Sequence, residues 1–299
     1  MILNELIQLR SGEEHLVIIN VNTKLLTTLS LLSALKHAEM PVLVIDCQST
    51  DGSFEYFSNI MKSFDFDLLS MPLNRHGATL DWLFTHIPSN KVLLMDSDAE
   101  LLNSDILGVF RGFIDDERTF GCGFVDGPGV MPDDVHPRDG YYEERFWAPF
   151  VMLKTSLVRE ALREGCSFVA KTFFNDFAAS QFLSRILRIR YRLPISKNTR
   201  ISWLDPFRRS FHGHKPSYVV FDTGAEVYHH LKYEKDYLFV GFPAHFSERY
   251  VRHFGGVTRL LLQPELKDRT DTGLDVSLDS IHDVILKRLR EKYDFAPAP

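Results

Sequence analysis

Lys91-Val-Leu-Leu-Met-Asp96-Ser97-Asp98-Ala-Glu100 is the stretch that decides the fold. An apolar run with the character of a buried parallel strand ends on two carboxylates, one residue apart. In open α/β sheets, ligands bind in the crevice beyond the carboxyl ends of the strands. Two hard oxygen donors at that place suit a divalent cation carrying a phosphorylated substrate. The competing reading is a plain turn, in which one carboxylate caps a helix starting near Asn103-Ser104.

Working outward, the preceding sequence alternates strand and helix signals. Short apolar runs at 15–20, 41–46 and 67–71 read as strands. Between them, 25–37 and 53–63 carry helical spacing, as does 77–87 before the opening stretch. A β-α-β-α order implies a parallel sheet with helices on both faces. Further on, 120–125 and 146–153 read as strands and 156–163 as a helix. The Gly-, Pro- and Asp-rich stretch 126–142 reads as a long loop. A short strand at 219–221 is followed by a helix over 225–233. After a polar break at 267–273, a last helix is expected over 277–293. The expected fold class is α/β: a mixed, mainly parallel sheet flanked by helices, in one large domain with a C-terminal helical extension. Its parts are 1–115, 116–263 and 264–299.

Composition narrows the function classes. The chain has 299 residues, 44% hydrophobic and 25% charged, ordinary values for a soluble globular protein. A net charge of -6 argues against nucleic-acid binding by bulk electrostatics. Cys47, Cys122 and Cys166 are odd in number and lack metal-type spacing, which suits a reducing compartment. The start, Met-Ile-Leu-Asn-Glu, has no basic region before an apolar one, so no signal peptide is expected. The expected location is cytoplasmic, with contact to the cytoplasmic membrane face as an option.

Three motifs then fall in a familiar order. Val44-Ile45-Asp46-Cys-Gln-Ser49-Thr50-Asp51-Gly52-Ser53 is a strand, an aspartate and a polar turn. Leu73-Asn74-Arg75-His76-Gly77-Ala78 leads into a helix. Met95-Asp96-Ser97-Asp98 follows. Over residues 17–102, about a third of the chain, the sequence resembles the nucleotide-sugar-binding half of the GT-A glycosyltransferases, most closely those of the family-2 type. It departs from that pattern at Asp81, where the family often has Asn. The loop Val21-Asn22-Thr23 also lacks the common proline.

The resemblance implies a hexosyltransferase-type enzyme. It would move a sugar from a nucleotide-diphosphate sugar to an acceptor hydroxyl, in glycan or surface-polysaccharide assembly; a positioned general base suits inversion, with retention left open. Donor contacts are implied at Asn22, Asp46, Arg75, His76 and Asp96. Asp46 can instead serve as a turn or helix cap, and Arg75 and His76 as a solvated pair. Mn²⁺ or Mg²⁺ is the implied cofactor, held by Asp98 and His253, with Asp96 as a further candidate ligand. The implied general base is Asp222, of Phe221-Asp222-Thr223-Gly224, which equally fits a helix N-cap. A second placement puts the base at Asn175-Asp176, with His229 or His230 as the ligand. His229 and His230 are adjacent on a helix and point to different faces, so they do not readily bind one ion together.

Residues 185–215 carry nine Lys or Arg and one acid, Asp205, interleaved with Tyr191, Trp203, Phe207 and Phe211. Such a segment suits a saccharide or lipid-linked acceptor, or an anionic membrane surface. It equally suits a solvated basic face. Two other functions remain open. One is a sugar-phosphate nucleotidyltransferase, which wants a Gly-rich loop where this chain has Asn20-Val-Asn-Thr-Lys24. The other is a catalytically inactive nucleotide-sugar-binding protein.

Overall fold

The computed structural model describes residues 13–72, 76–127, 129–130, 140–174, 218–254 and 278–297. The first third runs β1 (Glu14–Asn20), α1 (Lys24–His37), β2 (Val42–Asp46), α2 (Ser53–Ile60), β3 (Asp67–Ser70), α3 (His76–His86) and β4 (Lys91–Asp96). Next come β5 (Ala99–Leu101), α4 (Asp105–Ile114), β6 (Thr119–Asp126), β7 (Gly129–Val130), β8 (Gly140–Tyr142), β9 (Arg145–Lys154) and α5 (Thr155–Arg163). The remainder holds β10 (Lys171–Phe174), β11 (Tyr218–Phe221), α6 (Ala225–His229), β12 (Leu238–Pro243), β13 (Val251–His253) and α7 (Leu278–Tyr293).

Seven strands form the main sheet, in the order β12-β6-β9-β4-β1-β2-β3. β1 pairs in parallel with β2 and β4, and β2 with β3. β9 runs antiparallel to β4 and β6, and β12 rejoins parallel to β6. The fold is therefore the α/β class expected from the sequence, a mixed and mainly parallel sheet flanked by helices. Successive side chains on a strand face opposite sides. Val17 accordingly packs on one face with Leu80 and Phe84 of α3 and Val158 of α5. Leu16 and Ile18 pack on the other, with Leu31 of α1, Phe57 of α2 and Phe110 of α4.

Helix α1 is buried without interruption from Leu26 to Ala34. A helix covered all round needs a neighbour on its outer side, and α7 supplies it. Leu26, Leu29 and Leu32 meet Ile281, Ile285 and Leu289. The Ser residues that break the apolar run of α1 have a task. Ser30 donates to the Ser97 carbonyl at 2.8 Å, and Ser33 accepts from the Leu101 N–H at 3.0 Å. They brace the turn that follows β4.

Several elements differ from the sequence reading. The stretch 126–142 is not one loop: β6 runs through Asp126, and β7 and β8 lie within it. They form a second sheet, ordered β10-β11-β8-β7. The helix expected over 225–233 is α-helical only to His229 and continues as a π turn, His230–Glu234. Strands β5, β10, β12 and β13 are additions. Asn74, Arg75, Asn175, Asp176 and the segments 185–215 and 267–273 lie outside the described residues. Among the described residues, no helix is long and apolar enough to cross a membrane.

Candidate metal and donor site

Asp96 is the last residue of β4, and Asp98 lies in the turn before β5. The Asp105 N–H that opens α4 bonds to Asn103 Oδ1 at 3.2 Å. β5 pairs antiparallel with β13, in a register that sets His253 opposite Ala99. His253 Nε2 thereby comes to 3.2 Å from Asp98 Oδ1 and 4.0 Å from Asp96 Oδ2. One ligand atom from each of the three lies within 4.8 Å of the others. The Trp147 ring system meets the imidazole in a T-shaped contact, with centroids 5.3 Å apart and planes at 81°.

The electrostatics of this triad favour a cation. Burial pulls the His253 imidazole down, but the hydrogen bond it donates to Asp98 and the charges of Asp98, Asp96 and Asp126 outweigh it. Its pKa therefore stands above the ordinary 6.5. Burial, and then the Asp98 charge, push the Asp96 carboxyl above its usual range, against the pull of His76, His253 and Arg145. The Asp96 side chain still keeps 31% of its surface open to solvent, so an incoming ligand can reach it. Two carboxylates and an imidazole at this spacing could hold a divalent cation.

Two residues of the cluster were not singled out from the sequence. Arg145 opens β9, and its Nη2 lies 3.1 Å from Asp126 Oδ2 and 3.1 Å from Asp222 Oδ2. Asp126 closes β6, the same position that Asp96 holds on β4. Burial raises the Asp126 carboxyl, opposed by Arg145, while the Asp222 charge raises it further. The signal for Asp126 was present: a carboxylate ending the apolar run 120–125. Arg145 likewise precedes the apolar run 146–153.

Asp222 follows β11, and its Oδ1 accepts the Thr223 N–H at 2.8 Å. Gly224 then turns the chain at φ 80°, and its N–H donates to the Phe168 carbonyl at 3.0 Å. Asp222 thus shapes the local turn through one oxygen and meets Arg145 through the other.

The donor-side residues are arranged as a braced loop. Asp46 is 1% exposed. It accepts from Asn20 Nδ2 at 2.6 Å and from the Ser49 N–H at 3.1 Å. Asn22 adopts φ 52° and accepts the Thr50 N–H at 2.6 Å. Both therefore hold the loops at the carboxyl ends of β1 and β2 in register. His76 is exposed at the start of α3, and its charge favours ionised Asp96. His229 packs on Phe221 and Tyr233, while His230 bridges Glu164 and Glu234, so neither joins the triad.

Asp81, the departure noted in the sequence, binds the Phe168 N–H at 2.7 Å and the Ser167 hydroxyl at 2.5 Å. A carboxylate there clamps α3 to the loop beneath it.

No protein-family model matches the chain, and no curated protein sequence matches it. Solved structures show partial likeness to it. S. aureus TarS in complex with UDP-GlcNAc is 18% identical, over 50% of this chain and 47% of that one, with a TM-score of 0.36. The mannosyltransferase PcManGT from Pyrobaculum calidifontis, in complex with GDP-Man and Mn²⁺, is 15% identical over 55% and 52%, at a TM-score of 0.39. The 4-diphosphocytidyl-2C-methyl-D-erythritol synthase of Anaerococcus prevotii is 11% identical over 50% and 74%, at 0.38. The chain covers about half the length of the TarS and PcManGT structures. At this identity and overlap, these likenesses say nothing of activity.

Proposed function

We propose that the chain is a metal-dependent glycosyltransferase of the GT-A type, transferring a sugar from a nucleotide-diphosphate donor to an acceptor hydroxyl with inversion. The observation that carries this reading is the convergence of Asp96, Asp98 and His253 at the carboxyl end of the sheet, with Asp222 across the Arg145 bridge. Asp98 and His253 would hold Mn²⁺ or Mg²⁺, and Asp96 would complete the set or face the donor ribose. An ion bound by these residues would supply Lewis-acid stabilisation of the departing diphosphate. His76 adds a donor beside the same phosphates. The loops braced by Asp46 and Asn22 shape the place for the nucleoside. Asp222 takes the proton from the acceptor hydroxyl as general base. The acceptor is a saccharide or a lipid-linked saccharide, and residues 185–215 contact it or the cytoplasmic membrane face.

A thermal-shift panel of nucleotide diphosphates, with and without Mn²⁺, tests the donor site. A ligand that binds only the folded chain raises its apparent stability. Shifts are expected only with metal present; an unshifted melt across the panel overturns the reading. Asp222→Asn is expected to abolish transfer and spare donor binding. If Asp176→Asn does so instead, the base is misplaced. Co-flotation with anionic liposomes at low salt is expected of the 185–215 segment, and its absence removes the membrane contact.

A further inference from the structure

Arg145 joins two separate parts of the molecule at the site. It stands opposite Asp126 in the register of β9 and β6, within the main sheet. Asp222 follows β11, which belongs to the second sheet. One guanidinium nitrogen, Nη2, reaches both carboxylates at 3.1 Å. The Arg145 side chain is 20% exposed, against 34% for Asp126 and 33% for Asp222. The bridge is therefore partly sheltered from water, where charge pairs are screened less than on the open surface.

We propose that Arg145 is a positioning residue, fixing the Asp222 carboxylate relative to the Asp96, Asp98 and His253 triad. This rests on the reading of Asp222 as the base. Three physical points carry it. Asp222 Oδ1 is anchored by the Thr223 N–H at 2.8 Å, and Arg145 anchors Oδ2, so the carboxylate plane is fixed at both ends. A carboxylate offers about four lone-pair sites, so lone pairs remain to receive an acceptor proton. Asp126 holds the same guanidinium nitrogen, which keeps Arg145 in place if Asp222 shifts. Without the cation, two carboxylates drawn to one point repel each other, and Asp222, on the turn, is the one free to move.

The test uses Arg145→Gln and Arg145→Lys, read by crystallography and by kinetics. In Arg145→Gln the Asp222 carboxylate leaves its observed place, while Arg145→Lys retains it. With whichever nucleotide-diphosphate sugar the wild type uses, Arg145→Gln lowers kcat by at least about tenfold, a fraction of a general base's full worth. KM for the donor stays within about twofold in the same variant, and Arg145→Lys recovers most of the lost kcat. An unmoved Asp222 in Arg145→Gln, or a change confined to donor KM, overturns the proposal. If Arg145→Gln does not fold, Asp126→Asn replaces it: it loosens one anchor, and an unmoved Asp222 with unchanged kcat again overturns the proposal. If the wild type turns over no donor, the proposed function fails, while the position of Asp222 in the variant crystals still decides the role of Arg145.

Discussion

His253 Nε2 lies 3.2 Å from Asp98 Oδ1, and a main-chain bond from the Phe254 N–H to the Asp98 carbonyl, at 2.9 Å, sets that approach. The contact is made by strand pairing rather than by a flexible side chain reaching across. The triad is therefore built into the backbone before any ligand arrives.

That geometry has a pH signature. In the folded chain the His253 imidazole holds its proton above the ordinary 6.5. Its ion pairs thus add stability that is full below 6.5 and fades as pH rises through the folded value. A metal ion needs the neutral ring and must displace that proton. Without metal, this contribution to the melting temperature is smaller at about pH 8 than at about pH 6. The Mn²⁺-induced rise is larger at about pH 8. Melts with and without Mn²⁺ at both values check this, and an equal or smaller rise at the higher pH contradicts it.

Removing a ligand isolates the metal step. Loss of a residue that merely supports a metal ligand costs about 10–100-fold in affinity, so His253→Ala and Asp98→Asn should each exceed the lower end of that range. Electron paramagnetic resonance of free Mn²⁺ during titration gives the affinity. Trp147, in T-shaped contact with His253 at 5.3 Å, offers a second reading through its fluorescence. Unchanged Mn²⁺ affinity in both variants would remove the triad as the metal site.

The sequence made the first half of the molecule legible because β1, β2 and β4 are mainly apolar runs buried on both faces, β3 is a shorter one at the sheet edge, and helices of ordinary length separate them. Strand β12 escaped because LFVGFP carries Gly241 and Pro243 and lies at the sheet edge, largely open to solvent. The three residues of β13 have no local signature; only their pairing with β5 makes them a strand. The site divides in the same way. Asp96 and Asp98 announce themselves at the end of an apolar run. His253 could be linked to them through the family resemblance, not through local spacing. Asp126 carried the same strand-end signal as Asp96 but was absorbed into a Gly- and Pro-rich loop. Arg145 was hidden because its partners come from distant elements.

Gly77 offers a test of packing beside the site. A Cβ added there would lie 2.5 Å from the Phe168 carbonyl carbon and oxygen and from the Val169 nitrogen. These are backbone atoms, held by Asp81 through the Phe168 N–H, so they cannot swing aside as a side chain would. Gly77→Ala is expected to cost about 1–3 kcal/mol by overpacking. Gly108, in α4, has nothing within 4 Å of such a carbon, and Gly108→Ala should gain roughly 0.5–1 kcal/mol from helix entropy. Denaturant midpoints of the two variants should move in opposite directions.

Glu100 predicts how firmly the C-terminal helix is fastened. The residue is 0% exposed. It accepts from Arg288 Nε at 2.6 Å, Arg288 Nη2 at 2.7 Å and the Tyr293 hydroxyl at 2.9 Å. Arg288→Met strips the main partner and leaves a buried carboxylate, a loss of about 3–5 kcal/mol. Glu100→Gln keeps the shape and one acceptor but leaves the guanidinium without its counter-charge, so it too destabilises. The double variant leaves neither charge stranded, and its cost should fall well short of the sum of the two single costs. Because Glu100 sits on β5, two positions after Asp98, the single variants should also loosen the β5–β13 ribbon. Hydrogen exchange at the Phe254 amide, which bonds the Asp98 carbonyl, reads that directly. Additive costs, or an unchanged Phe254 exchange rate in Arg288→Met, would separate the helix from the site.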